Sequence, residues 1–142
     1  MDTGEVRRRV RRTIDDARAR ARSRRHDVAA AEEEGRRVLR EVAAPLFRTV
    51  ASALKAEGYR FTVETPAGAV RLAAVGAGEN AIELALDTSR DPPALVGRMA
   101  HVRGRRVLSD ERIVAEHPAL GDLAAENLLE FVSSALAPMV ER

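Results

Sequence analysis

An α+β fold is predicted by three features of the chain. Residues 3 to about 43 contain no proline and, after Gly4, only Gly35 as a helix breaker. From Tyr59 the apolar pattern changes to a period of two, and after Gly121 a helical pattern returns. Strands grouped between helices specify an antiparallel sheet with helices on one face. The expected order is a long coiled-coil-like N-terminal helix, a second helix, a meander of four or five strands, and a C-terminal helix packed on one sheet face.

The first helix is rich in Ala, Arg and Glu, all good helix formers. Val10, Ile14, Ala17, Ala21, Val28, Ala31, Gly35, Val38 and Val42 recur in steps of four and three, with Arg24 filling the one missing place. That 3.5-residue period marks a heptad seam. Glu32 with Arg36, Glu33 with Arg37 and Asp16 with Arg20 stand four apart, and each such pair supports a helix by about 0.2–0.5 kcal/mol. Forty helical residues span roughly 60 Å, more than one small domain can cover. The helix therefore folds back near Ser23–Asp27 or pairs with another chain.

Pro45 suits a kink or a fresh first turn. The segment after it places Leu46, Phe47, Val50 and Leu54 on one face, and Gly58 is a natural stop. Alternation then gives strands over YRFTVET, VRLAAV and AIELALD, joined by PAGA and GAGEN. Arg60, Glu64, Arg71, Glu83 and Asp87 fall on the face away from the apolar residues. ALVGRMAHV and RRVLSDERIV form a hairpin about Gly104. Asp122 is the expected N-cap of the last helix, whose apolar face is Leu128, Phe131, Val132, Ala135, Leu136 and Met139, with Pro138 weakening its final turn. The chain divides at about residue 43, into an arm (1–43) and an α+β body (44–142).

Composition narrows the function. Hydrophobic residues make up 45% but aromatics only 3%, so the core is aliphatic and alanine-rich. No cysteine is present, which removes disulfides, thiolate metal sites and cysteine nucleophiles. No apolar stretch reaches the ~18 residues of a membrane span, and MDTGEVRRRV lacks the apolar core of a secretory signal. The expected location is cytoplasmic. Lys55 is the one lysine among 24 basic residues. With so much alanine this fits GC-rich, bacterial coding, so the arginine excess is not itself a sign of phosphate binding. Residues 1–25 nevertheless hold ten arginines and four acids, a net +6, while the other 117 residues carry −4.

No catalytic, cofactor or metal constellation is expected. His26, His101 and His117 lack ligand spacing, and Glu83 and Asp87 lie roughly 13 Å apart along a strand, too far for a glycosidase pair. GAGEN joins two strands and so reads as a turn, not a phosphate loop. Two functions stay open. The first is a non-enzymatic assembly protein that self-associates as a homodimer or higher oligomer through Val10, Ile14, Ala17, Ala21, Val28, Ala31, Val38 and Val42. It would offer a sheet face or basic hairpin to a protein partner. The second is a sequence-neutral nucleic-acid clamp using Arg7, Arg8, Arg9, Arg11, Arg12, Arg18, Arg20, Arg22, Arg24 and Arg25, with Arg103, Arg105 and Arg106 at the hairpin tip. The arm has no aromatic to stack on a base.

Overall fold

A computed structural model describes residues 1–76 and 78–141. It has the predicted α+β architecture, with five strands in simple antiparallel order. Helix α1 (Thr3–Val38) begins at Asp2, whose side chain accepts a hydrogen bond from the Glu5 backbone N–H at 2.7 Å. It runs through a π-helical segment, Leu39–Ala43, directly into α2 (Ala44–Ala56). Pro45 stands in the first turn of α2, as expected, and the helical path runs into it through the π segment. Proline has no N–H to give the helical ladder. Just before it, the Ala44 N–H reaches Leu39 O, so the wider π turn accommodates it. After Glu57, Gly58 at φ 91° turns the chain. The Gly58 and Tyr59 N–H groups cap the Lys55 and Leu54 carbonyls, an ending that favours glycine.

The sheet comprises β1 (Phe61–Glu64), β2 (Ala69–Ala74), β3 (Ala81–Asp87), β4 (Ala94–Arg103) and β5 (Arg106–Glu116). Ala77, within the GAGEN turn, lies outside the described residues. The β4–β5 hairpin closes at Arg103 and Arg106, with Gly104 at φ 64°, and has a bulge opposite Leu95 and Val96. Helix α3 (Ala125–Val140) follows a short 3-10 turn, Leu120–Asp122. Asp122 ends that turn and is not the cap of α3. The cap position belongs to Ala124, whose methyl group offers no hydrogen bond.

The long helix crosses the strands from one edge of the sheet to the other. α2 packs on β1 and β2, the π segment on β2, and α1 on β3. Farther toward the N-terminus α1 lies against the 3-10 turn that follows β5. Two glycines permit this approach. A Cβ on Gly35 would meet Leu86 at 2.9 Å, and one on Gly97 would meet the Phe131 ring of α3 at 2.6 Å. Between the layers lie Val38, Phe47, Val50, Leu72, Ile82, Leu84, Leu95, Leu128, Phe131 and Val132.

Candidate association surface

The buried face of the long helix begins at Ala31. Ala31 and Val38 are fully enclosed by their own chain, and Val42 packs against the same core. Val28 and Ala21 are half-buried, while Ala17, Ile14 and Val10 are exposed. The structure thus divides the seam between two settings. Its C-terminal half is sheltered within the molecule, and its N-terminal half extends beyond it. The ion pair nearest the N-terminus that ties α1 to the body, among the described residues, is from Asp27, whose carboxylate lies 3.6 Å from His117 Nε2. The roughly 25 residues before it form a projection of about 37 Å.

This projection carries Val6, Val10 and Ile14, exposed by 43, 52 and 43%. At 100° per residue they form one stripe with Ala17 and Ala21, in line with the buried face farther along. Arg7, Arg11 and Arg18 border it on one side, and together with Val6, Val10 and Ile14 they line a groove. Arg9 and Arg20 border it on the other side. Of the ten arm arginines, only Arg9 has an ion-pair partner among the described residues, Glu5 at 3.6 Å. Arg8, Arg12, Arg22, Arg24 and Arg25 are also exposed. Arg37 turns to Glu34 and Glu41 instead of Glu33. Hydrogen bonding to Glu34, then to Glu41, raises its pKa above the ordinary guanidinium value.

Arg103, Arg105 and Arg106 lie at the far end of the β4–β5 hairpin. The arm leaves the body beside His117, after the opposite end of β5. Ten strand residues separate the two, roughly 33 Å. The basic tip and the root of the arm are therefore at opposite ends of the sheet.

The face of the sheet away from the helices carries a row of charges, one per strand. Glu64, Arg71, Glu83, Arg98 and Glu111 are successive cross-strand partners, alternating in sign. Arg98 reaches Glu111 at 3.2 Å and Glu83 at 3.4 Å. Burial opposes its charge, but the hydrogen bonds to Glu111 and Glu83 outweigh that and raise its pKa. Arg90 spans β4 from Asp87, at 3.2 Å, to Glu111, at 2.7 Å. Hydrogen bonds from Ser89, reinforced by the Arg90 charge, hold the Asp87 carboxyl below its ordinary pKa. Val96, on this same face by register, is fully buried. Arg71, Glu83, Arg98 and Glu111 line an open trough of about 600 Å³ with Ser109 and Ala100.

Several of these features escape the sequence pattern. Val6 falls off a strict 3.5-residue seam, but it joins the stripe of a straight helix. Arg98 and Glu111 complete the charge row only once the strand register is known. His101 is half-buried, with its Nδ1 enclosed and lacking a hydrogen-bond partner among the described residues. Arg112 sits 5.0 Å over the Phe131 ring. No helix among the described residues is long and apolar enough to cross a membrane. Comparison with protein-family models, curated proteins and solved structures returned no match.

Proposed function

We propose that this is a non-enzymatic assembly protein that self-associates through the projecting part of α1 and presents the charged sheet face or the basic hairpin to a protein partner. One observation carries the reading. The apolar stripe that the body buries from Ala31 onward continues outward, uncovered, through Val10, Ile14 and Val6. Fully burying a valine or isoleucine side chain is worth about 1.5–3 kcal/mol. These three are about half exposed, so covering the remainder is worth roughly half of that each, and three on each of two chains favour association. The ion-paired state of the sheet carboxylates also fits a recognition face better than an acid–base site.

Electrostatics makes the proposal discriminating. Arm against arm brings arginine borders together, and such pairing strengthens as salt shortens the Debye length, about 10 Å at 0.1 M. Arm against the acidic remainder of a second copy weakens with salt instead. Sedimentation equilibrium of the full chain at two salt concentrations reads the sign. The double variant Val10→Arg, Ile14→Arg should abolish the arm-dependent association. Association that persists unchanged in this variant would sink the proposal. Point variants are preferable to removing residues 1–43, because Ala31, Val38 and Leu39 belong to the core.

The second reading, a nucleic-acid clamp, draws on the nine arm arginines with no ion pair among the described residues. It requires duplex binding that falls steeply with salt and disappears when the arginines of residues 7–25 are replaced. Salt-insensitive binding, or none, removes it.

A further inference from the structure

We propose that β5 is a second self-association edge, at which two copies pair antiparallel about Glu111 to form one ten-stranded sheet. The two edges of the sheet differ. β1 has four residues, whereas β5 has eleven, without proline or lysine. Those are common devices that keep an edge from pairing. Val107, Leu108 and Ile113 on β5 are exposed. α3 stands over β4, where Phe131 covers Gly97, and leaves the edge open.

The sequence of the open strand complements its own reverse. With Glu111 on the two-fold axis, Asp110 faces Arg112 of the second copy and Ser109 faces Ile113. Each pair lies on one face of the sheet, as antiparallel pairing demands. The bulge beyond Ile113 ends the regular stretch. Among the described residues, neither Asp110 nor Arg112 has an oppositely charged partner in its own chain. Asp110 hydrogen-bonds the Glu111 backbone N–H, at 2.9 Å, and Arg112 lies over Phe131. On β5, Asp110 and Arg112, like Arg106 and Glu116 at the strand's ends, have no ion pair among the described residues, and self-pairing about Glu111 brings Asp110 and Arg112 together.

The one like-charged pair, Glu111 on the axis, is already compensated within each chain by Arg90 and Arg98. Strand pairing also supplies a carbonyl for the Glu111 N–H and frees Asp110 to meet Arg112. A shift of one residue either way sets Asp110 against Glu111 or Ile113 and loses the match. The two β4 strands would lie three spacings apart, about 14 Å. Each α3 lies over its own β4, and helices pack at 8–10 Å, so the two fit side by side. α1 lies against the 3-10 turn that follows β5, so both association surfaces lie on one side of the molecule.

The test uses full-length chains that all carry Val10→Arg and Ile14→Arg, which removes the arm's contribution. Adding Asp110→Arg sets arginine against arginine, and adding Arg112→Asp instead sets aspartate against aspartate. Each should weaken self-association at least about tenfold, with thermal melts confirming that the chains stay folded. Mixing the two variants in equal amounts restores opposite charges at both positions and should restore association. A background chain that is monomeric at millimolar concentration overturns the edge inference and leaves the arm reading untouched. A single-charge variant that associates as tightly as the background chain, or a mixture that stays monomeric, also overturns it.

Discussion

The two halves of the long N-terminal helix share a period, a composition and a direction, yet one is core and the other is bare. From Ala31 onward the inward positions are Ala31, Gly35, Val38 and Leu39, all buried. Before Asp27 the same line holds Ala21, Ala17, Ile14, Val10 and Val6, largely uncovered. The small residues separate the two. Gly35 brings the helix against Leu86, where even one methyl group would collide. On the projecting half, β-branched side chains stand in solvent, where they add nothing to the fold of a single chain. A heptad pattern thus shows which face of a helix wants cover, and the close-approach residues show where its own sheet provides it.

The largest way to break this comparison is a core deletion set beside its exposed counterpart. Phe47→Ala, in the enclosed continuation of the helix, should cost about 3–5 kcal/mol, because Phe47 is fully buried beneath the sheet. Val10→Ala should change the stability of the monomer by less than about 0.5 kcal/mol. Urea denaturation at low protein concentration measures both. Similar costs at the two sites would mean that the arm is sheltered in solution.

Overpacking gives the next largest effect. Gly35→Val and Gly97→Ala each place atoms where Leu86 or Phe131 already sits. Each should destabilise the fold by about 1–3 kcal/mol, read as a lower urea midpoint. The same change at Gly58 or Gly104 meets nothing within 4 Å. There the cost comes from the positive φ alone. Gly35→Val with no loss of stability would show that the helix does not press on β3 as closely as the packing demands.

The order of elements was legible from the sequence because period two and period 3.6 need no partner to be seen. The faces of α2 and α3 were legible too, since Phe47, Val50, Leu128 and Phe131 are large and regularly placed. Where cover ends along α1 was not legible: Ala17 and Ala31 look alike until the sheet is in place. Asp122 carried the chemistry of an N-cap, but a 3-10 turn intervened, and Gly121 there lets the chain press on Glu34 and Arg37. The charge row needed strand register to bring Arg98 between Glu83 and Glu111. The open edge of β5 is a property of strand order, which no local pattern encodes.

A subtler contrast concerns local stability along the one helix. Asp2 caps α1 at the far tip of the projection. Removing a cap costs about 0.5–2 kcal/mol of helix stability, here confined to turns with no tertiary contact. Asp2→Ala should speed amide exchange over the first few turns and leave residues 31–56 and the global melting temperature unchanged. Amide exchange by mass spectrometry resolves the two halves. A drop in global melting temperature would tie the tip to the body.

The smallest expected effect lies on the sheet face and depends on pH. Ser89 donates to Asp87 from its hydroxyl and from its backbone N–H, and Arg90 adds a charged donor. The folded pKa of Asp87 is therefore lowered from an unfolded value of about 3.9. A group shifted downward contributes stability that is complete above its unfolded pKa and is lost as pH falls through the folded one. Asp87→Asn keeps the shape but never gains that contribution. Wild type should melt above the variant at neutral pH, and the gap should close as the pH drops below about 4. A gap that stayed constant down to pH 2 would mean that Asp87 acts through shape alone. The charge of Asp87 would then add nothing to the fold, and the Ser89 and Arg90 donors would serve only to shape the turn after β3.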